Sequence, residues 1–248
     1  MSIRQAAVAG AFYPSDKNEL EKMLLHFLDK APSSGINPKA IIVPHAGYVY
    51  SGQVAAYAYK WVKGKNRAII LGPSHYKYLT NAVSDTNDEW ETPLGKAEVA
   101  TSSEFVRIEE PHVQEHCIEV QVPFIQKVLG KASIMPIVVG DADPIKISAQ
   151  LERVLDDRTI LVISSDLSHF HDYETAIRLD NNSCAAIEML NYEKFATEGE
   201  ACGKIPILAV MDLAKRLGWK CRMLYYANSG DVTGDKSKVV GYASFALY

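Results

Sequence analysis

Runs of consecutive apolar residues alternate along the chain with stretches of helical spacing. The runs end near Val43, Leu71, Val139 and Ile163, and each is short enough to be a strand. Successive residues of a strand face opposite sides of a sheet, so a run without polar alternation predicts a strand covered on both faces. We therefore predict strands over residues 40–43, 67–71, 133–139 and 159–163.

The stretches between these runs carry apolar residues at helical spacing. Asp16 and Glu19 form a candidate capping pair ahead of apolar positions 20, 23, 24, 27 and 28, which predicts a first helix. Residues 84–96 are polar and turn-rich and predict a surface excursion or hairpin. The last apolar segments, CRMLYYA and VVGYASFALY, predict closing strands. Further helices are predicted over residues 51–61, 115–129, 144–155, 173–190 and 204–217.

This alternation predicts an α/β fold with a largely parallel or mixed central sheet flanked by helices. The chain has 248 residues, 48% of them hydrophobic, so we expect one domain over residues 1–248 with a large core. The 26 basic and 30 acidic residues give a formal charge of -4 without a basic stripe, which argues against a nucleic-acid partner.

The lack of a recognisable targeting signal and the pattern of cysteines predict a cytoplasmic protein. No apolar run reaches membrane-spanning length, and the N-terminus lacks the apolar core of a signal peptide, so we expect a soluble cytoplasmic protein without a membrane partner. The cysteines are too few and too irregularly spaced for a disulfide scaffold, and we expect free thiols. They are Cys117, Cys184, Cys202 and Cys221.

Candidate metal ligands follow three of the predicted strands. His45, His75, Asp166 and His169 each lie one to six residues beyond a strand, on turns rich in Gly, Pro and Ser. Ligands of open α/β sheets bind beyond the carboxyl ends of the strands, where such residues converge. Two imidazoles with an anionic third ligand are typical of non-haem Fe(II) oxygenases and of zinc hydrolases. A metal centre is the economical interpretation, although a single histidine after a strand is more often a hydrogen-bonded turn residue.

Cys202 lies just ahead of a predicted helix, in GEACGKIPIL. Unpaired N–H groups and the helix dipole favour a thiolate there and predict a lowered pKa. Cys202 is therefore a candidate soft metal ligand or nucleophile, with a small packing residue at a tight turn as the alternative. The other cysteines fall within apolar patterns that predict packing.

Residues 111–121 contain a short motif with two interpretations. His112, Glu115 and His116 match H-x-x-E-H, the inverted zinc-protease signature, in which both histidines share a helix face. Alternatively, Glu115 and His116 begin a helix that faces the cavity, with Gln121 as a polar support or substrate contact. Tyr48 is a candidate substrate contact because it lies in the loop after His45.

Six motifs in order resemble the Memo family: AVAGAFYP, PHAGYVYSG, LGPSH, EHCIEVQVPF, SSDLSH and ACGKIPI. The resemblance runs from about residue 5 to the C-terminus. It implies a fold similar to that of the class III extradiol dioxygenases of the LigB type, around a metal cleft. In prokaryotes, proteins of this family often accompany a radical-SAM protein and an AMMECR-type protein. The resemblance therefore also implies a pathway shared with these two kinds of protein.

The resemblance places metal ligands at His45, His75 and Cys202, with Asp166 and His169 beside them. Glu115 and His116 fall in the same pocket. The dioxygenases complete their ligand set with a carboxylate, whereas this pattern offers the thiol of Cys202, with Asp166 as a further candidate. A thiolate is softer and favours copper or a redox role, so ring cleavage does not follow from the likeness.

Three functions are consistent with these residues. The first is a metal-dependent oxygenase or oxidase that holds Fe(II) or copper, with zinc less favoured, and acts on an unidentified small molecule or peptide. In it His169 transfers protons, and His116 or Glu115 orients the substrate. The second is a non-catalytic module that binds a phosphotyrosine or other anionic peptide, although only Lys77 and Lys204 lie near the cleft. The third is a hydrolase that uses Cys202 as nucleophile with His169 or His116 as base, or zinc to activate water.

Overall fold

The computed structural model describes residues 1–248 and places a mixed sheet between layers of helices. Twelve strands and nine α-helices form, and a 3-10 turn covers Glu110–His112. The strands are β1 Ile3–Arg4, β2 Ala40–Val43, β3 Arg67–Pro73, β4 Ala82–Ser84, β5 Glu89–Thr92, β6 Gly95–Glu98, β7 Val106–Arg107, β8 Ser133–Val139, β9 Thr159–Ser164, β10 His169–His171, β11 Cys221–Asn228 and β12 Val239–Leu247. The helices are α1 Lys17–Lys30, α2 Tyr48–Tyr59, α3 His116–Glu119, α4 Val122–Leu129, α5 Pro144–Val154, α6 Tyr173–Glu188, α7 Tyr192–Glu198, α8 Lys204–Arg216 and α9 Ser229–Thr233.

The central sheet has a parallel middle and antiparallel edges. Its order is β10-β12-β2-β9-β3-β8-β4-β7, and β11 pairs with the other edge of β12. The pairs β2–β9, β9–β3 and β3–β8 are parallel, whereas β12 and β4 run antiparallel to β2 and β8. The four predicted buried runs are these four parallel strands. The expectation of a mixed α/β sheet flanked by helices is confirmed.

The core divides between the two faces of this sheet. In β2, Ile41 and Val43 pack into one apolar cluster, whereas Ala40 and Ile42 pack into the other. Helices α1, α2 and α4 contribute to the first cluster, and α6 and α8 to the second. Both faces are covered, which is why successive residues of the strand are apolar.

Two sequence predictions differ from the structure. The single helix expected over 115–129 is two helices, because the chain turns at Val120 and Gln121 before α4 begins. Pro123 is the second residue of α4, where a missing N–H costs little. The expected excursion over 84–96 forms a hairpin of β5 and β6 that pairs with β1, but Trp90 within it is fully buried rather than at the surface.

Short elements escaped prediction. Helices α7 and α9 and strand β10 have seven, five and three residues, too few for a periodic pattern.

The first helix is confirmed, and the Asp16 side chain accepts hydrogen bonds from the N–H groups of Asn18 and Glu19.

No helix in the structure has both the length and the apolar character required to cross a membrane.

Candidate functional site

The predicted strand-end residues converge at one edge of the sheet. Strands β2, β9 and β3 are adjacent and parallel, and Val43 at the end of β2 pairs with Ser164 at the end of β9. His45 and His75 follow β2 and β3 by two residues each. Their ring centroids lie 5.2 Å apart.

Ser164 fixes the orientation and tautomer of His45. The Ser164 hydroxyl donates its one hydrogen to the Cys117 carbonyl at 2.6 Å and accepts a hydrogen bond from Gln121 Nε2 at 2.8 Å. His45 Nδ1 lies 3.0 Å from the same oxygen, so Nδ1 must be the donor. His45 Nε2 is therefore unprotonated in the neutral ring, and it can accept a hydrogen bond from the Cys202 thiol, whose Sγ atom lies 3.3 Å away.

Glu115 has the same effect on His75. Its carboxylate oxygens accept hydrogen bonds from His75 N–H at 2.7 Å and from His75 Nδ1 at 2.8 Å. A carboxylate can only accept, so His75 carries a proton on Nδ1, and in the neutral ring Nε2 is bare. Burial alone would raise the pKa of Glu115, but these hydrogen bonds outweigh burial and lower it to about 2. Glu115 is therefore an anion that orients His75.

His116 adds a third imidazole, contributed by the first residue of α3. Its ring lies 5.4 Å from His45 and 4.6 Å from His75, and the ligand nitrogens of the three histidines all lie within 4.8 Å of one another. The buried Nδ1 atom of His116 is 3.3 Å from Glu115 Oε1 but makes no hydrogen bond. An unpaired buried nitrogen is costly in an apolar interior, so this ring is available to a ligand.

Burial keeps two of the three rings neutral. It lowers the pKa of His45 to about 3, and a positive charge on a protonated His75 lowers it further. It also lowers the pKa of His116 to about 4, helped by His45 and His75. Metal ligation requires neutral imidazole, so neither of these two rings would have to lose a proton to act as a ligand at neutral pH.

Asp166 and Cys202 both contact His45. Asp166 Oδ1 accepts a hydrogen bond from the backbone N–H of His45 at 2.7 Å, and Cys202 Sγ accepts one from the Asp166 N–H at 3.2 Å. Burial raises the pKa of the Cys202 thiol to about 12, and the charge of Asp166 adds to the rise. The expectation of a lowered pKa is wrong, because desolvation and the neighbouring anion outweigh the hydrogen bonds from Ser165 and from the backbone of Asp166 and Gly203.

His169 is the first residue of β10 and lies three residues beyond Asp166. Its Nδ1 atom lies 2.8 Å from the Leu167 carbonyl oxygen, which can only accept, so Nδ1 carries the proton. A positive charge on His169 lowers the pKa values of both His45 and Asp166. His169 is therefore electrostatically linked to the cluster.

A cavity of about 590 Å³ lies beside the cluster. Both His75 and Cys202 line it, so the cavity adjoins two of the candidate ligand residues. The rest of the lining mixes aromatic, apolar and cationic side chains, among them Tyr76, Tyr78, Lys77 and Lys204. Lys77 is paired with Glu110 at 2.5 Å.

The structure does not support the expected substrate contacts of Tyr48 and Gln121. Tyr48 is buried, and its hydroxyl donates to the Val120 carbonyl at 2.6 Å. Gln121 is also buried; its Oε1 atom accepts from Tyr59, and its Nε2 atom donates to Ser164. The polar atoms of both side chains already have protein partners, so these residues hold neighbouring segments of the chain in place.

The two histidines of the H-x-x-E-H motif do not share a helix face. His112 ends the 3-10 turn, and its buried ring lies 6.0 Å from Trp90. His116 begins the next helix and joins the histidine cluster. The inverted-protease interpretation is therefore wrong for this chain.

Sequence reasoning missed several supports of the site. Ser164 lies within the SSDLSH motif, but no local pattern reveals that it contacts His45. Phe12, in AVAGAFYP, packs against His116 at 4.8 Å between ring centroids. Arg4 donates to the carbonyl of Glu115 at 3.0 Å and forms a buried ion pair with Glu119 at 2.6 Å.

The donor set fits a soft or borderline metal ion. Two histidines present bare Nε2 atoms with their protons held on Nδ1, which is the usual arrangement of metal-bound imidazole. The His116 ring lies within the same cluster, and the Cys202 thiol lies beside His45. Imidazole suits iron, copper and zinc, and a thiolate shifts the preference toward copper.

Fold and cluster together define an α/β protein with a histidine-rich pocket at the carboxyl edge of its sheet. A family model described as "Memo-like protein" matches residues 4–246, and the chain belongs to the Memo family. A MEMO1 family protein of Aquifex aeolicus is 36% identical over 98% of both chains. Another, from Thermoplasma volcanium, is 37% identical over 98% of this chain and 97% of its own. The resemblance expected from the six motifs is confirmed.

A crystal structure of an uncharacterized protein from Escherichia coli K12 covers 83% of this chain and 98% of its own, at 10% identity and a TM-score of 0.45. A similarity of that size supports no inference about this chain.

Proposed function

We propose that this protein is a metal-dependent redox protein, of the oxygenase or oxidase type, which holds Fe(II) or copper at the histidine cluster. The observation that carries the proposal is the close approach of three imidazoles, with the Cys202 thiol beside one of them. The ligand nitrogens of His45, His75 and His116 lie within 4.8 Å of one another, and Cys202 Sγ is 3.3 Å from His45 Nε2.

We assign His45, His75 and Cys202 as ligands, with His116 as a further imidazole donor. Asp166 is less suited, because one of its oxygens already holds the His45 backbone. A coordinated thiol is deprotonated outright, so bound cation would reverse the raised pKa of Cys202. Iron or copper, when bound, would supply one-electron and O₂ chemistry.

The surrounding residues have separate roles in this proposal. Glu115 orients His75, and Ser164 orients His45. His169 is the proton-transfer group, because its Nε2 is unprotonated in the tautomer that Leu167 fixes. The cavity beside His75 and Cys202 admits the substrate.

The two alternative functions have weaker support. An anionic peptide needs a cationic fork, and of the two lysines in the cavity wall Lys77 is already paired with Glu110. A cysteine hydrolase needs a thiolate, whereas burial and Asp166 raise the pKa of Cys202 to about 12.

Metal content tests the proposal directly. Untagged protein is purified without added metal, loaded anaerobically with Fe(II) or with copper, desalted and measured by plasma mass spectrometry. We expect about one metal ion per wild-type chain and its loss in His75→Ala and Cys202→Ser. His171→Ala is the matched control, because His171 lies near the site but pairs with Glu200 at 3.1 Å.

Retention of metal by His75→Ala would contradict the assignment of the site. Absence of metal from the loaded wild type would contradict the function itself, and salt-sensitive binding of a phosphotyrosine peptide by that protein would favour the binding module.

A further inference from the structure

Asp180 is a buried carboxylate that lies outside the motifs of the site. It lies on α6 and is fully buried, yet neither of its hydrogen-bond partners brings a positive charge. Its Oδ1 atom accepts from the Ser168 N–H at 3.0 Å, and its Oδ2 atom accepts from the Tyr226 hydroxyl at 2.8 Å. Both oxygens act as acceptors, as expected of the ionised form.

Strand β12 packs tightly against the Asp180 carboxylate. A Cβ atom at Gly241, in β12, would lie 1.9 Å from Asp180 Oδ2. Gly241 also donates its N–H to the Ser168 carbonyl and accepts from the Leu167 N–H, both at 2.9 Å. The segment from Leu167 to Ser168 is therefore held between β12 and the carboxylate.

The peptide group that Asp180 contacts is the one that binds His169. Its N–H, from Ser168, donates to Asp180, and its carbonyl, from Leu167, accepts from His169 Nδ1 at 2.8 Å. Hydrogen bonds in series polarise one another, by roughly 10–30% per bond. A carboxylate on the N–H side therefore makes the carbonyl a better acceptor for the histidine.

We propose that Asp180 is a positioning residue that acts through the Leu167–Ser168 peptide to hold His169 in the Nδ1–H tautomer. Asp180 has the part that a carboxylate in direct contact with a catalytic histidine would have, with one peptide group between them. The bare Nε2 of His169 then stays available to accept a proton. This role rests on the proposed function of His169 as the proton-transfer group.

Asp180 has no other partner that would explain a buried negative charge. Burial raises its pKa, and the bonds from Ser168 and Tyr226 oppose that rise. Replacing a buried carboxyl that serves only packing would be neutral for His169. A carboxylate kept for its electrostatic effect on the peptide would not be.

Nitrogen NMR of the histidine rings tests the proposal in the metal-free full-length chain. At a pH where the ring is neutral, the ¹⁵N resonance of His169 Nδ1 should be of the protonated, pyrrole type in the wild type. In Asp180→Asn, which keeps an acceptor but loses the charge, we expect it to shift toward the bare, pyridine type. Asp180→Ala should shift it further.

Tyr226→Phe is the matched control, because it removes a hydrogen bond from the other oxygen of the same carboxylate and leaves the Ser168 contact intact. It should keep the wild-type resonance. A wild-type Nδ1 position in Asp180→Asn would overturn the proposal, as would an equal shift in Tyr226→Phe. The measurement requires no metal, so its failure is separate from failure of the metal proposal.

Discussion

At the level of single residues, the site consists of donors whose protons are already placed. The Nδ1–H groups of His45 and His75 each donate a hydrogen bond to an oxygen atom, of Ser164 and Glu115 respectively. Hydrogen bonds of this kind orient the ring and raise the basicity of the nitrogen that binds a metal. The neighbouring residues therefore orient the proposed ligands before any metal binds.

Glu115→Gln should weaken metal binding without removing a ligand. The glutamine side chain offers one oxygen, whereas His75 donates both its N–H and its Nδ1 proton to two oxygens of Glu115. Loss of such a partner typically costs 10–100-fold in metal affinity, and we expect about that loss in a chelator competition assay.

Glu110→Gln is the control for this change, because Glu110 is an exposed carboxylate that pairs with Lys77. It should bind metal as the wild type does. Equal affinities in Glu115→Gln and Glu110→Gln would show that Glu115 does not support the site.

At the level of elements, the site depends on how closely α3 approaches β3. A Cβ atom at Gly72, in β3, would lie 2.3 Å from Cys117 Sγ. Cys117 follows His116 in α3, and its thiol donates to the Pro73 carbonyl at 3.2 Å. Glycine at position 72 thus allows α3 to carry His116 up to the end of the strand.

Gly72→Ala should push α3 away and destabilise the fold. Overpacking of this kind typically costs about 1–3 kcal/mol in the free energy of unfolding, measured by urea denaturation. The double variant with Cys117→Ala removes the atom that clashes, so it should recover most of that stability. If Gly72→Ala were as stable as the wild type, or the double variant no better than the single one, the close approach would not matter.

The tie between α3 and the N-terminus is also an element-level feature. Glu119, in α3, accepts from the N–H groups of Ala7 and Val8 and from the Tyr13 hydroxyl, and it pairs with Arg4. These contacts hold the N-terminal segment, including Phe12, over His116. Removal of one partner from a buried ion pair is costly, so the contact between Arg4 and Glu119 stabilises this arrangement. The other contacts of Glu119 give the N-terminal motif of the family a structural role in this chain.

At the level of the whole molecule, the buried histidines link stability to pH. His45 has a pKa of about 3 in the fold and about 6.5 in an unfolded chain. Between those values the unfolded chain binds more protons, so the free energy of unfolding falls as the pH falls. Glu115 acts in the same direction at lower pH, between its unfolded pKa of about 4.3 and its pKa of about 2 in the fold.

The metal-free protein should therefore lose stability between pH 6.5 and 5 at up to about 1.4 kcal/mol per pH unit from His45. His45→Gln should show a shallower dependence by about that amount in urea unfolding. His26→Gln, at an exposed position on α1, is the control and should follow the wild type. An unchanged slope in His45→Gln would mean that this ring does not stay neutral in the fold.

Much of this protein follows from local sequence. The four central strands were predictable because burial on both faces leaves an unbroken apolar run, and His45, His75 and Asp166 because they end those runs. The family was predictable because its six motifs are local. These signals all come from residues that are neighbours in the chain.

The tertiary structure decided what those residues do. Ser164 lies 119 residues from His45, and Asp180 lies 12 residues from Ser168 on another element, so no periodicity signals either contact. Burial raises the pKa of Cys202, whereas its position ahead of a helix predicted a lowered one. Sequence alone determined the strands and the residues at their ends, whereas proton positions, burial and orientation depend on atoms that only folding brings together.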